Sequence, residues 1–138
     1  MALDTPAALD AFFRETFPQA ADVGFVVQAV EPDGVVVVLD AQHKHLRPGN
    51  VISGPTVMTL TDTAMYAAVL ARLGPEAASS VTTSIEVHFL HRCPPGRLTA
   101  RCRLLRVGRR LAVGTVDFFR EDGTQTAHAT ITYALPAT

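Results

Sequence analysis

Thr59, Asp62, Thr63 and Tyr66 fall at i, i+3, i+4 and i+7, so a helix drawn through them carries all four on one face. Asp62 is the only charged residue between Val51 and Ala71. A carboxylate set among apolar side chains can take a proton from water or attack an electrophilic carbon itself. Thr63 and Tyr66, on the same stripe, could orient that water or a bound acyl group. The plain alternative is a helix-surface carboxylate hydrogen-bonded to Thr59 or Thr63.

The element that must position this stripe is Gly54 to Leu73, GPTVMTLTDTAMYAAVLARL, which reads as one helix. Pro55 suits a first turn, where its missing N–H has no partner to lose, and Ser53 and Gly54 stand before it as capping residues. Gly74-Pro75 stops it. The apolar members Val57, Met58, Leu60, Ala64, Met65, Ala67, Ala68, Leu70 and Ala71 cover most of the circumference, the pattern of a helix wrapped by other structure. A membrane span is disfavoured by the central carboxylate, which costs roughly 2.5 to 3.5 kcal/mol at mid-bilayer.

With 138 residues, 48% hydrophobic and 18% charged, the chain reads as one globular domain able to bury about two-thirds of its unfolded surface. The first residues, MALDTPAALD, lack the basic and apolar regions of a secretory signal, so a cytoplasmic location is expected. Cys93 and Cys102 have no metal-ligand spacing and are expected as free, buried or half-buried thiols. His43, His45, His88, His91 and His128 are scattered over loop and strands, so neither a metal site nor a Ser-His-Asp triad is predicted. Charge is uneven: residues 1–40 hold seven acids and one base, whereas residues 88–116 hold seven arginines and no acid. Without a nucleic-acid-binding motif, that basic surface suits a small anionic ligand, or simply solvated strand arginines paired with the acidic first half.

Along the chain, PAALDAFFRETF at 6–17 follows Thr5 as a cap and reads as a short amphipathic helix. Val23 to Val30 and Gly34 to Leu39 read as strands joined at Asp33-Gly34, with VVVV at 35–38 buried on both faces. The loop DAQHKHLRPGNVIS at 40–53 delivers polar side chains beside the start of the long helix. Downstream, 80–91, 97–107, 111–121 and 125–135 read as strands separated by turn residues. Alternation assigns Val81, Ile85, Val87 and Phe89 to one face, and sets Leu98, Ala100, Cys102 and Leu104 against Arg97, Arg101 and Arg103, so that each strand is expected to have one buried face and one wetter face. The pattern is α+β: an antiparallel sheet of five to six strands around a long central helix.

His45-Leu46-Arg47-Pro48-Gly49-Asn50-Val51-Ile52-Ser53-Gly54-Pro55, followed by Asp62 eight residues after Gly54, resembles the signature of hotdog-fold acyl-CoA thioesterases of the phenylacetate-pathway, PaaI-like type. The resemblance continues through VTTSIEVHFLHR at 81–92 and Val107-Gly108-Arg109-Arg110. Ser53 stands where that family usually has histidine, Pro55 where it has a second glycine, and Arg47 where it has Asn or Gln. The resemblance implies hydrolysis of an acyl-CoA thioester with no cofactor beyond the CoA of the substrate. It also implies a homodimer, or two dimers paired into a tetramer, with glycine from one subunit and acid from the other in one site. A non-hydrolytic acyl-CoA-binding or regulatory protein is the alternative.

Under this reading Asp62 is the base or nucleophile, and the Gly54 backbone N–H, at a helix N-terminus, is the oxyanion donor. Ser53 is either a third catalytic residue or no more than the cap. Arg47, Asn50, Thr63, Tyr66, Thr82 and Thr83 are the substrate-binding candidates. Arg92, Arg109 and Arg110 are the candidates for the phosphates of CoA.

Overall fold

The computed structural model describes residues 2–137; Met1 and Thr138, the ends of the single domain expected from the sequence, lie outside the described residues. The chain runs α1 (Pro6–Thr16), α2 (Pro18–Ala21), β1 (Val26–Glu31), β2 (Gly34–Asp40), β3 (Leu46–Arg47), β4 (Val51–Ile52), α3 (Gly54–Leu73), β5 (Val81–Phe89), β6 (Arg97–Val107), β7 (Leu111–Phe119) and β8 (Gln125–Ala134). Among the described residues six strands form one antiparallel sheet in the order β1-β2-β6-β7-β8-β5, and β3 pairs with β4 separately. Helix α3 packs across β2, β6, β7, β8 and β5. This is the hotdog architecture, an α+β sheet around a long central helix.

Every residue of α3 from Thr63 to Leu70 is buried, more than two full turns, so the helix is enclosed on all sides there. Its start is fixed by Ser53, whose Oγ accepts the Thr56 N–H at 3.2 Å; its end is Gly74, at φ +83°. The close approach of α3 to the sheet depends on Gly114 in β7: a Cβ there would stand 2.9 Å from Met65 Sδ and 3.0 Å from the Arg103 carbonyl oxygen. A larger side chain must push the helix that carries Asp62 off the sheet. Gly114→Val is therefore expected to cost about 2 to 3 kcal/mol, read as a lowered urea midpoint.

Three expectations need correction. The first strand begins at Val26, not Val23, because residues 18–21 form a helical turn. The Val23 and Gly24 N–H groups bond to Ala20 and Ala21 at 3.1 and 3.0 Å, and Gly24 lies at φ +99°. Next, β5 is not a strand with one buried face. It lies at the edge of the sheet, paired only to β8, and Val81 and Phe89 are 61% and 56% exposed. Finally, the register of β5 against β8 shifts between Thr82 and Ser84. Thr82 thereby pairs with Tyr133 and joins the face of Ile85, Val87 and Phe89, while Val81 falls on the opposite face.

Candidate active site

Asp62 faces a cavity of about 590 Å³ bounded by α1, α2, α3, β5 and β8. Its walls are largely apolar, with Phe13, Phe17, Met58, Tyr66, Ile85 and Tyr133 among them. Among the described residues that line it, Asp62 is the only carboxylate and there is no cation.

The carboxylate is held through one oxygen. Thr82 Oγ1 donates to Asp62 Oδ1 at 2.6 Å, and the Tyr133 hydroxyl reaches the same oxygen at 2.7 Å and the Asp62 backbone carbonyl at 2.9 Å. Oδ2 has no hydrogen-bond partner among the described residues. The alternative of a surface carboxylate satisfied by Thr59 or Thr63 thus gives way to a carboxylate tied to the sheet. Burial pushes the Tyr133 phenol well above its ordinary range, and the hydrogen bond to Asp62 adds to this, so Tyr133 remains a donor at neutral pH. Tyr133 was not singled out from the sequence. The sequence placed it only within the last strand, 125–135.

Thr63 is buried and lines the cavity. Tyr66 lines it too, but its hydroxyl donates to the Ala78 carbonyl at 2.7 Å, and burial raises its pKa. Its ring meets Phe13, Phe17 and Tyr133 at centroid distances of 5.9, 5.9 and 6.3 Å. Tyr66 is therefore wall, with its polar atom already engaged. Thr83, at the register shift, donates to the Thr132 carbonyl at 3.2 Å and lies outside the cavity lining.

At the other end of the stripe, Gly54 opens α3 beside a second cavity of about 520 Å³, whose lining includes Arg47, Val57, Phe89, His91 and Arg92. The Gly54 N–H is one of the first-turn donors that no carbonyl of its own helix can reach. Ser53 Oγ accepts from the Thr56 N–H and lies 2.8 Å from Thr56 Oγ1, which itself donates to the His45 carbonyl at 3.2 Å. With that proton committed, Ser53 supplies the proton between the two hydroxyls, so its hydroxyl is occupied in capping. Asn50 is an exposed turn residue at φ +57°, absent from the lining of this cavity, whereas Arg47 belongs to it. His45, buried, accepts the Gln42 N–H at Nδ1 (2.9 Å) and meets the Val23 carbonyl at Nε2 (2.7 Å). Both ring nitrogens hold the loop in place.

Asp62 stands eight residues after Gly54 on the helix, about 12 Å along the axis. One thioester carbonyl needs its oxygen within about 3 Å of the donor while its carbon meets the base, so a single chain does not bring the two to one carbonyl. The arginines divide in the same way. Arg92 lies just beyond the Phe89 end of β5, with Arg47. Arg109 and Arg110 form the β6–β7 turn at the Val81 end, where the Arg110 carbonyl accepts the Leu135 N–H at 2.8 Å.

Among the described residues no three His, Cys, Asp or Glu side chains stand close enough to share a metal ion. Both thiols are buried, Cys102 with its pKa pushed up by burial to about 12, so neither is a ready nucleophile. No described helix is long and apolar enough to cross a membrane.

The sequence matches the thioesterase superfamily over residues 49–127, the stretch that holds Gly54, Asp62 and Thr82. No curated protein matches the chain. Among solved structures, a candidate thioesterase from Silicibacter sp. TM1040 is 37% identical, with a TM-score of 0.87 over 99% of this chain and 94% of that one. A mutant of the phenylacetic acid degradation protein PaaI from Thermus thermophilus is 26% identical, with a TM-score of 0.76 over 86% and 99%. A thioesterase from Haemophilus influenzae, 20% identical over 96% and 91%, shares the fold at a TM-score of 0.86. On the family match and the 37% relative together, the chain belongs to the hotdog-fold thioesterase superfamily and has PaaI-like proteins among its relatives.

Proposed function

We propose that the protein hydrolyses an acyl-CoA thioester to the free acid and CoA, in a site completed by a second copy of the chain. The observation that carries this reading is the separation of Asp62, at an acyl-sized apolar cavity, from the Gly54 N–H about 12 Å away at a different cavity. Strand β5 supplies a route to the second copy. It is a nine-residue edge strand with apolar side chains exposed at Val81 and Phe89, and at Leu90 just beyond its end, and unprotected edges of this kind pair readily. As α3 runs from Gly54 to Asp62, β5 runs from Phe89 back to Thr82, since Gly54 lies near the Phe89 ring and Asp62 bonds to Thr82. An antiparallel two-fold pairing of β5 with its copy then brings Gly54 of one chain toward Asp62 of the other.

In that arrangement the acyl group lies in the Asp62 cavity and the partner's Gly54 N–H receives the carbonyl oxygen. Asp62 Oδ2 takes a proton from water as the water oxygen bonds to the carbonyl carbon; collapse of the tetrahedral intermediate breaks the C–S bond, and the thiolate leaves and is protonated. If Asp62 attacks directly, a mixed anhydride forms and water opens it. Arg47 and Arg92 of one chain, with Arg109 and Arg110 of the other, are the cations available to the phosphates of CoA; exposed as they are, their grip should weaken with salt.

The test is thiol release from a panel of arylacetyl, aroyl and straight-chain acyl-CoA esters. Release from any member supports hydrolysis and identifies the acyl class. Retained CoA-ester binding with no release from the whole panel would instead establish a binding protein.

A further inference from the structure

We propose that Tyr133 is a positioning residue for Asp62: its hydroxyl clamps the carboxylate to the helix backbone and leaves Oδ2 as the oxygen presented to substrate. The inference rests on the hydrolytic role of Asp62 proposed above and adds a residue to it. Three observations carry it. The hydroxyl stands within hydrogen-bond distance of both Asp62 Oδ1, at 2.7 Å, and the Asp62 carbonyl oxygen, at 2.9 Å, so a single proton bridges side chain and main chain of one residue. The Tyr133 side chain is 3% exposed, pinned in β8 between β7 and β5, and its ring packs on Tyr66; the clamp is therefore anchored in the sheet rather than in a mobile loop. Thr82 donates to the same Oδ1 at 2.6 Å from the strand paired directly with Tyr133, so both donors converge on one oxygen from neighbouring strands.

The consequence is geometric. A free aspartate rotates about its terminal bond and exchanges its two oxygens, whereas two donors on Oδ1 remove that freedom and fix the direction of Oδ2 before substrate arrives. The donors come from β5 and β8, and the carboxylate from α3, so the clamp also ties the central helix to the edge of the sheet at the point where chemistry would occur.

Tyr133→Phe keeps the ring and its packing and removes only the hydroxyl. Turnover is expected to fall about 10- to 100-fold with KM nearly unchanged, because the acyl cavity keeps its shape. If Tyr133 acts through Asp62, Tyr133→Phe in an Asp62→Asn background should lose nothing further. Losses that multiply in the double variant, or a change confined to KM, would overturn the inference. The bond is also readable without activity: a hydroxyl proton shared with a carboxylate should give a slowly exchanging, downfield proton resonance that vanishes in Tyr133→Phe and moves in Asp62→Asn. Absence of that resonance in the wild type overturns the clamp whatever the enzyme does. Its presence, in a protein whose turnover is untouched by Asp62→Asn, would retain the clamp but overturn its role in positioning a base, and would count against the reading of the site itself.

Discussion

Asp62→Asn is expected to lower thiol release about 10³- to 10⁴-fold while leaving the fold and the assembly intact. The substitution keeps the volume of the side chain and keeps an oxygen able to accept from Thr82 and Tyr133. What it removes is the negative charge and the basic Oδ2, and the loss of a positioned base or nucleophile is generally worth factors of this size. Among the described residues lining the cavity no second carboxylate stands ready to substitute, so little residual activity is expected from the site. Side-by-side steady-state assays with matched thermal midpoints would check it. Full turnover in Asp62→Asn would remove this residue from the chemistry.

The second large effect concerns the site proposed above to be shared between two copies of the chain. Gly54→Val places a branched side chain at the first position of α3, where even a bare Cβ would lie 3.5 Å from the Phe89 ring. The bulk crowds the approach to the helix N-terminus, and loss of one oxyanion donor typically costs about 10² to 10³ in rate. Gly54→Val and Asp62→Asn should therefore each be nearly inactive as pure proteins. Mixed under conditions that exchange subunits, they should recover about one quarter of wild-type activity: half of the dimers are then mixed, and each mixed dimer has one intact site and one doubly broken. No recovery, in a preparation shown by mass spectrometry to contain mixed dimers, would mean that Gly54 and Asp62 do not serve one carbonyl.

Much of the architecture was legible in the sequence because it rests on local physics. A long run of apolar residues with one polar stripe is a buried helix with one face left for a site. Leu98, Ala100, Cys102 and Leu104 alternate with arginines as a half-wet strand must, and they are buried as that alternation requires. The loop from His45 to Pro55 and the spacing from Gly54 to Asp62 carried the family resemblance, and the family followed from it.

Other features were decided by tertiary structure. Alternation in residues 81–89 could not reveal a register shift, since a bulge is a mismatch between two strands and appears only when β8 is beside β5; it is this shift that turns Thr82 toward Asp62. Nor could it reveal that β5, the first strand after the helix, takes the far edge of the sheet while β6 enters the middle. Tyr133 lies 71 residues from the carboxylate it bonds. Sequence by itself determined which residue types were available: a lone carboxylate, a helix N-terminus, two groups of arginine. Which of them meet depends on strand order and register, long-range properties set by how the whole apolar surface is buried, and no local pattern encodes them.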